Sequence, residues 1–212
     1  MATYKNGIMG AFSGKVGAVC GASWRGIDYM RGLPTPSNKP ATPQQAAQRL
    51  KMTLFRGFLL GLTDIIEDCF QNYKKKTAMN SALSYNMIQA VAGTAPEPDI
   101  LFPNLIYSKG DLLSAWSLTV ASVESNTIDF SWKNGGLGRY RTENDLVHVV
   151  VYCPGEKKFS ILKEAAVRSD EGTRLIVPPS FKGKGVHCYI SFYSPDLGIS
   201  STNEYLGEVT VF

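Results

Sequence analysis

The hydrophobic period of the chain changes near its middle, and this change limits the available folds more than any other feature. Beyond about residue 106, apolar and polar residues alternate in five runs: 118–120, 128–132, 147–151, 186–192 and 209–211. A period of two indicates strands. Turn-forming clusters separate the runs, at 134–136, 154–155, 170–172, 182–185 and 194–196. Short strands with such spacing over about 100 residues predict an antiparallel β-sandwich, with no room for crossover helices.

The first 35 residues are rich in glycine, which occurs at positions 7, 10, 14, 17, 21, 26 and 32. Glycine at this density permits tight turns and close backbone approach, so we expect short, twisted β-ribbons or an extended arm rather than a compact subdomain. A lone two-stranded ribbon is marginally stable in water. The arm should therefore lie against the helices of this chain or against another subunit.

A proline-rich linker leads into a segment with helical spacing. Thr42 is a candidate N-cap and Pro43 suits the first helical position. The pattern predicts a second helix from residue 63, with Lys74, Lys75 and Lys76 in its last turn, where cations complement the helix dipole. A third helix is predicted at about 78–92, capped by Gly93.

Several features of the second half resemble a fibronectin type III or immunoglobulin-like module. They are Trp132 closing an early strand, Tyr189 in a late strand after Pro178-Pro179, and the final run Tyr205 to Val211. The predicted fold class is therefore α+β. A Gly-rich β arm with two or three helices (1–95) is followed by a linker (96–105) and a fibronectin III/Ig-like antiparallel β-sandwich (106–212).

The N-terminal half resembles a narrower family. The residues that carry this resemblance are Asn6-Gly7, Ser13 to Gly17, Trp24-Arg25-Gly26, Tyr29, Arg31 and Thr42 to Gln45. These residues resemble the opening of domain-of-unknown-function family 6266 of Bacteroidota. The resemblance implies a bacterial source, and it implies no activity from which a catalytic or binding residue could be assigned.

The charge is divided unevenly between the two halves. Residues 1–95 hold 11 Lys and Arg against 4 Asp and Glu, whereas residues 96–212 hold 11 against 14. A basic half joined to a mildly acidic half can bind polyanions or the acidic half of a neighbouring copy. A solubilising surface charge is an equal alternative.

The sequence offers no strong metal or catalytic motif, so we expect no enzyme, no cofactor and no small-molecule substrate. The four cysteines form no CxxC pair. Cys153 and Cys188 could form a disulfide, although reduced, buried thiols are expected. His148 and His187 lie in alternating runs and are predicted to face solvent rather than to bind a ligand. The run from Gly10 to Val16 lacks the spacing and hydroxyl of a P-loop.

Five residues of the arm are candidate contacts: Lys15, Trp24, Arg25, Tyr29 and Arg31. Interleaved aromatics and cations are typical of single-stranded nucleic-acid surfaces, but also of subunit interfaces. We favour subunit packing, because the net charge is small for a nucleic-acid binder. Arg139, Tyr140 and Arg141 form a second candidate, a mobile loop that could contact a ligand, although a plain exposed loop is favoured.

The sequence thus predicts a non-catalytic structural protein that self-associates through its N-terminal domain and displays a β-sandwich. Strand addition to a neighbour would give head-to-tail contacts, as in phage-virion-like, filament or injection assemblies. The alternative is a nucleic-acid-binding protein that uses the basic domain, and a weaker one is an adaptor or carbohydrate-binding module. No signal peptide, lipobox or membrane span is predicted, and we expect cytoplasmic synthesis.

Overall fold

The computed structural model describes residues 3–4, 7, 10–35, 39–71, 76–93 and 96–212. The chain divides into two compact units, Met1–Thr42 and Pro43–Phe212. This division differs from the predicted one, which separated the helices from the sandwich at residues 96–105. The helices belong to the same unit as the sheets that follow them, for the reason given below.

The first unit is a four-stranded antiparallel sheet, which we call the arm sheet. Its strands follow chain order: β1 Thr3–Tyr4, β2 Phe12–Val16, β3 Val19–Trp24 and β4 Ile27–Gly32. Only Gly21 is buried among the residues of β2, β3 and β4. The strands predicted for this glycine-rich stretch are confirmed, but the expectation that they form no compact subdomain is wrong, because they pair into one four-stranded sheet.

The second unit opens with three helices among its described residues: α1 Pro43–Leu60, α2 Thr63–Cys69 and α3 Ala78–Gln89. All three were predicted, but two ends differ. Helix α2 ends at Cys69 because Phe70 has an extended backbone, so Lys76 is not in its last turn. Lys74 and Lys75 lie outside the described residues. Helix α3 ends before Gly93, which lies instead in the turn between two short strands.

In the part of the chain that the structure describes, ten strands follow the helices: β5 Val91–Ala92, β6 Asp99–Ile100, β7 Trp116–Ala121, β8 Thr127–Lys133, β9 Leu146–Cys153, β10 Lys158–Val167, β11 Gly172–Ile176, β12 Gly185–Ser194, β13 Ile199–Ser200 and β14 Glu204–Thr210. Strands β10, β9, β12, β13 and β14 form a five-stranded sheet, and β11, β8 and β7 form a three-stranded sheet. All pairings within these sheets are antiparallel. The predicted α+β class with antiparallel sheets is confirmed; β10 and β11 were missed because their apolar alternation is weak.

One hydrophobic cluster joins the two sheets. Ile128, Phe130 and Trp132 of β8 contact the inward-facing residues of the larger sheet, among them Val149 and Phe192. The rings of Trp132 and Phe192 meet edge to face, with centroids 6.0 Å apart. Burying alternate residues from both sheets provides the main stabilising free energy of this layer.

The three helices cover the opposite face of the five-stranded sheet. Their apolar side chains share a second cluster with Val150, Tyr152 and Tyr189 of the sheet. Ile100 and Leu105, which the sequence assigned to a linker, are buried in the same cluster. The helices need this sheet face to bury their apolar stripes, and the predicted linker is therefore part of the core.

The expectation that both histidines face solvent is wrong. His148 is 4% exposed and His187 is 8% exposed, because the sheet face on which they lie is the one that the helices and the following segment cover. The rings of His187 and Phe102 stack with their centroids 3.9 Å apart, and His187 Nδ1 lies 2.9 Å from the Tyr205 hydroxyl.

All four cysteines are free thiols. Cys153 and Cys188 are both buried in the cluster between the two sheets and form no disulfide. Burial raises the pKa of Cys188 to about 12, so its thiol is protonated at neutral pH.

Candidate functional site

A tight turn determines the shape of the hairpin formed by β3 and β4. Arg25 and Gly26 link β3 to β4, and both have positive φ, 52° and 80°. Positive φ at both central residues defines a type I′ turn, whose twist matches that of the flanking strands. The turn makes Trp24 and Ile27 a directly opposite pair.

The strand register brings four of the five predicted arm residues onto one face. Cys20 lies opposite both Lys15 on β2 and Arg31 on β4. Tyr29 lies opposite Ala22. Directly opposite residues share a face and residues two apart along a strand do too. We call this set the aromatic face: Lys15, Trp24, Ile27, Tyr29 and Arg31.

Arg25, the fifth predicted residue, lies in the turn itself. Its guanidinium carbon is 5.5 Å from the centroid of the Trp24 ring, which is cation–π distance. Arg25 therefore extends the aromatic face at the hairpin end.

The opposite face of the arm sheet depends on a glycine. A Cβ at Gly21 would overlap the carbonyl oxygen and the ring of Phe12, so the start of β2 crosses closely over β3 at this point. Met30 lies opposite Gly21 and is 71% exposed. This face is therefore partly covered by Phe12, whereas Met30 projects beyond it.

The apolar residues of the aromatic face are open to solvent. Trp24 is 53% exposed, Ile27 65% and Tyr29 43%. Contiguous exposed apolar residues of this kind are typical of interaction surfaces. The sequence reasoning missed Ile27, although the spacing of two residues around Arg25-Gly26 already places it opposite Trp24.

Positive charge surrounds this apolar surface. Residues 1–42 contain five Lys and Arg but only one acidic residue, Asp28. Asp28 alternates with Ile27 and Tyr29 along β4 and so lies on the opposite face. The aromatic face thus presents aromatic rings with cations and without a carboxylate among its members.

The second predicted site is the loop that contains Arg139, Tyr140 and Arg141. Only part of this loop is exposed. Arg141 is only 7% exposed, its Nη2 donates to the carbonyl of Ser114 at 3.0 Å, and its guanidinium lies over the Trp116 ring. Arg141 therefore holds the loop in place and is not available to a ligand. Tyr140 remains 44% exposed beside Arg139.

A buried ion pair that the sequence reasoning missed lies near this loop. Both side chains of Arg168 and Asp145 are fully buried, and Arg168 Nη2 also donates to the carbonyl of Leu113 at 2.7 Å. The carbonyl of Arg168 accepts bonds from the Trp132 indole and from Asn134, each at 2.8 Å. Burial lowers the pKa of Arg168, an effect that Asp145 opposes. Through these contacts Arg168 connects the end of β10 to β8 and to the segment before β7.

A polar cleft of about 340 Å³ lies between α2 and the five-stranded sheet, lined by Asp68, Cys69, His148, Lys163, Glu164 and Tyr193. Lys163 Nζ binds the Asp68 carboxylate at 2.6 Å. His148 Nδ1 accepts the backbone N–H of Glu164, and burial lowers the pKa of His148 to about 4. Burial also raises the pKa of Cys69 to about 11. At neutral pH the cleft therefore holds a neutral imidazole and a protonated thiol.

Among the residues that the structure describes, no group of three or more His, Cys, Asp or Glu is placed to hold a metal ion. None of the described helices is long and apolar enough to cross a membrane.

Comparison with known proteins gives one family and, among solved structures, a distant likeness. The FN1–FN3 domains of chicken CNTN1, seen in a crystal structure, align with a TM-score of 0.31 at 12% identity. That alignment covers 48% of this chain and 30% of the other, and a score this low assigns no fold. No curated protein matches the chain.

The family match is broader than the N-terminal resemblance predicted. It begins in the arm sheet and ends in the last strand, so that both compact units are included. The chain belongs to the family of unknown function DUF6266, whose model matches residues 11–207.

Proposed function

We propose that the protein is a non-catalytic structural protein that self-associates through its arm sheet and displays the second unit as a module. The observation that carries the proposal is the aromatic face, where Trp24, Ile27 and Tyr29 are all largely exposed on one side of a thin sheet. The protein would then be a component of a virion-like, filament or injection assembly.

The physical reason is that the apolar side chains of the arm sheet remain in water. A sheet of three or more strands depends on a hydrophobic face for its stability, and burying that face would add to it. In the arm sheet, all six residues of β4 are exposed. Contact with a second copy at this sheet would bury part of its large aromatic side chains, which are the usual anchors of interfaces.

The chemistry of the polar cleft supports a non-catalytic role. Nucleophilic catalysis by cysteine needs a thiolate, and burial keeps Cys69 protonated. A general base works best when its pKa is near the working pH, and burial moves His148 away from that range.

The strand order supports the finer assignment of the displayed module as fibronectin III/Ig-like. Counting from β7 and omitting the two-residue β13, the first, second and fifth strands form the smaller sheet. The third, fourth, sixth and seventh strands lie in the larger sheet, so that only the fourth strand, β10, departs from the constant-type immunoglobulin arrangement. Immunoglobulin-like sandwiches divide the remaining strands in this way.

Light scattering on the purified, nuclease-treated protein tests the proposal. We expect a mass of at least two chains, and a single-chain mass for the double variant Trp24→Thr/Ile27→Thr. Threonine keeps the preference for strand while removing the apolar surface. Ile176→Thr is the matched control, since Ile176 is 77% exposed in the second unit and should leave the mass unchanged. A single-chain wild type at all concentrations would refute self-association.

A second candidate, binding of single-stranded nucleic acid, is favoured by one observation. Lys15 and Arg31 share the aromatic face with Trp24 and Tyr29, so that bases could stack while phosphates pair with the cations. Such binding weakens steeply as salt rises.

Fluorescence anisotropy with a labelled oligonucleotide, at low and at high salt, tests this candidate. Lys15→Gln/Arg31→Gln should abolish binding, whereas the control Lys133→Gln/Lys158→Gln removes two exposed cations from the second unit and should not. Equal affinity of both double variants would exclude the aromatic face as the nucleic-acid surface.

A further inference from the structure

The outer edge of β4 is open for pairing. β4 is the last strand of the arm sheet, and among the described residues no strand pairs with its far side. Proteins usually protect such edges with Lys, Pro, bulges or very short strands. β4 has six residues, contains neither Lys nor Pro, and pairs with β3 without a register shift; its two charged residues, Asp28 and Arg31, have opposite sign. The other edge strand, β1, has two described residues, Thr3 and Tyr4.

The hairpin turn determines which backbone groups point outward from β4. In a two-residue hairpin, the flanking pair Trp24 and Ile27 exchanges backbone hydrogen bonds, and every second pair after it does the same. The bond from the Leu33 N–H to the Ala18 carbonyl, 2.9 Å, falls on the same alternation. Consequently Ile27, Tyr29 and Arg31 bond to β3, and the N–H and C=O groups of the intervening residues point to the open edge.

We propose that β4 of a second copy pairs antiparallel with this edge, with Met30 opposite Met30 on a two-fold axis, so that two arm sheets join into one continuous sheet. This inference rests on the self-association proposed above and adds the partner strand and its register. It replaces the head-to-tail contacts expected from the sequence with a closed pair, because the same strand of both copies forms the contact across a two-fold axis.

Hydrogen bonding excludes half of the alternative registers. The outward-pointing groups belong to Asp28, Met30 and Gly32, and in an antiparallel ladder such residues must lie opposite one another. Any shift that places Met30 opposite Tyr29 or Arg31 of the second copy therefore breaks the ladder. The allowed registers differ by steps that move the two-fold axis by one residue along β4.

Charge selects among the registers that remain. An axis at Arg31 would place two guanidinium groups opposite each other, and an axis at Asp28 would do the same with two carboxylates. Like charges directly opposite are destabilising. An axis at Tyr29 leaves Gly32 opposite the turn of the second copy. Only the axis at Met30 pairs all three outward residues.

The proposed register also matches the side chains of the aromatic face. Tyr29 lies opposite Arg31 of the second copy, and the reverse contact forms across the axis. Arg and Tyr at this separation make favourable cation–π contacts. Asp28 lies opposite Gly32 and meets no second carboxylate. The two aromatic faces become one surface on the same side of the joined sheet.

A proline at position 30 tests the backbone bonds. Met30→Pro removes an outward N–H from each copy while leaving the bonds between β3 and β4, and edge strands accept proline at such positions. We expect dimerisation at least about tenfold weaker by analytical ultracentrifugation. Met30→Thr changes the side chain but keeps the N–H, and it should change the dimer affinity far less. Equal affinity of both variants overturns the proposal.

Cysteine cross-linking tests the register even if the proline variant unfolds the arm. In a Cys20→Ser background, Met30→Cys should form a dimer disulfide rapidly on mild oxidation. Asp28→Cys and Gly32→Cys should cross-link when mixed and not separately. Ser23→Cys, on the inner strand β3, is the control that should stay monomeric on a denaturing gel.

The outcomes separate this inference from the proposal on which it rests. A wild type that is dimeric and depends on Trp24 and Ile27, but shows no Met30→Cys cross-link, would overturn the β4 pairing and leave self-association standing. A wild type that is monomeric throughout would overturn both. Cross-linking of Met30→Cys, together with a loss of affinity in Met30→Pro, would support both.

Discussion

The Arg168 guanidinium and the Asp145 carboxylate form an ion pair from which solvent is fully excluded, with Nε and Oδ2 2.9 Å apart. Asp145 also accepts the backbone N–H of Thr142 at 3.0 Å and its hydroxyl at 2.6 Å. The pair thus connects the segment after the Gly-rich loop to the end of β10. A buried charge that loses its partner is far more costly than an exposed one.

Asp145→Asn should therefore destabilise the protein by about 3–5 kcal/mol, because it leaves the Arg168 cation buried without a counter-charge. Urea unfolding measures this loss. Asp129→Asn is the control: Asp129 pairs with Arg174 at the surface, where the two side chains are 34% and 54% exposed. That substitution should cost at most about 1 kcal/mol. Equal losses would show that burial of the first pair has no energetic consequence.

Gly21→Ala should disrupt the arm sheet without unfolding the second unit. Its new Cβ would overlap Phe12, so β2 must move away from β3. Limited trypsin digestion should then cut faster at Arg25 and Arg31. Gly32→Ala is the matched control, because a Cβ there meets nothing within 4 Å and its φ is not positive. Unchanged cleavage in Gly21→Ala would contradict the close approach.

Acidification should destabilise the protein partly through His148. Burial, aided by Lys163 and opposed by Asp68, lowers the pKa of His148 from 6.5 to about 4. Between these values the unfolded chain binds a proton that the folded chain does not, so stability falls as pH decreases through this window.

The expected contribution of His148 is about 2–3 kcal/mol between pH 6.5 and 4. His148→Asn removes the titrating ring while keeping an acceptor for the Glu164 N–H. In urea unfolding at several pH values, the free energy of unfolding of the variant should fall less with decreasing pH than that of the wild type. The carboxylates that titrate in the same range are common to both proteins and do not affect this difference. Parallel pH profiles would refute the assignment.

Asn203→Ala should cost about 2–4 kcal/mol, because several backbone groups would lose their partners in the core. Asn203 Oδ1 accepts the N–H groups of Tyr107 and Ser108 at 2.9 and 3.1 Å, and its Nδ2 donates to Leu105. Thermal unfolding measures the change. Asn144→Ala, at an exposed position, should be nearly neutral. A neutral Asn203→Ala would mean that water replaces these bonds.

Local sequence was sufficient to predict most helices and strands and the residues of the aromatic face. The helices at 43–60 and 78–89 follow from periodicity and start signals, and the strands that carry Trp132 and Val149 follow from alternation. The aromatic face follows from a two-residue turn at Arg25-Gly26, since pairing around such a turn is fixed by the chain itself. These features depend on neighbours close in sequence.

Only the tertiary structure decided which surfaces are covered. Alternation in β9 predicts a solvent face for His148, but the helices pack there, because their own apolar stripes require a partner surface. The same packing makes the expected linker at 96–105 part of the core and moves the boundary between compact units to residue 42. Arg141 is buried for a similar reason, since Trp116 and the Ser114 carbonyl come from a distant segment. Contacts between residues far apart in sequence determine burial, and no local pattern records them.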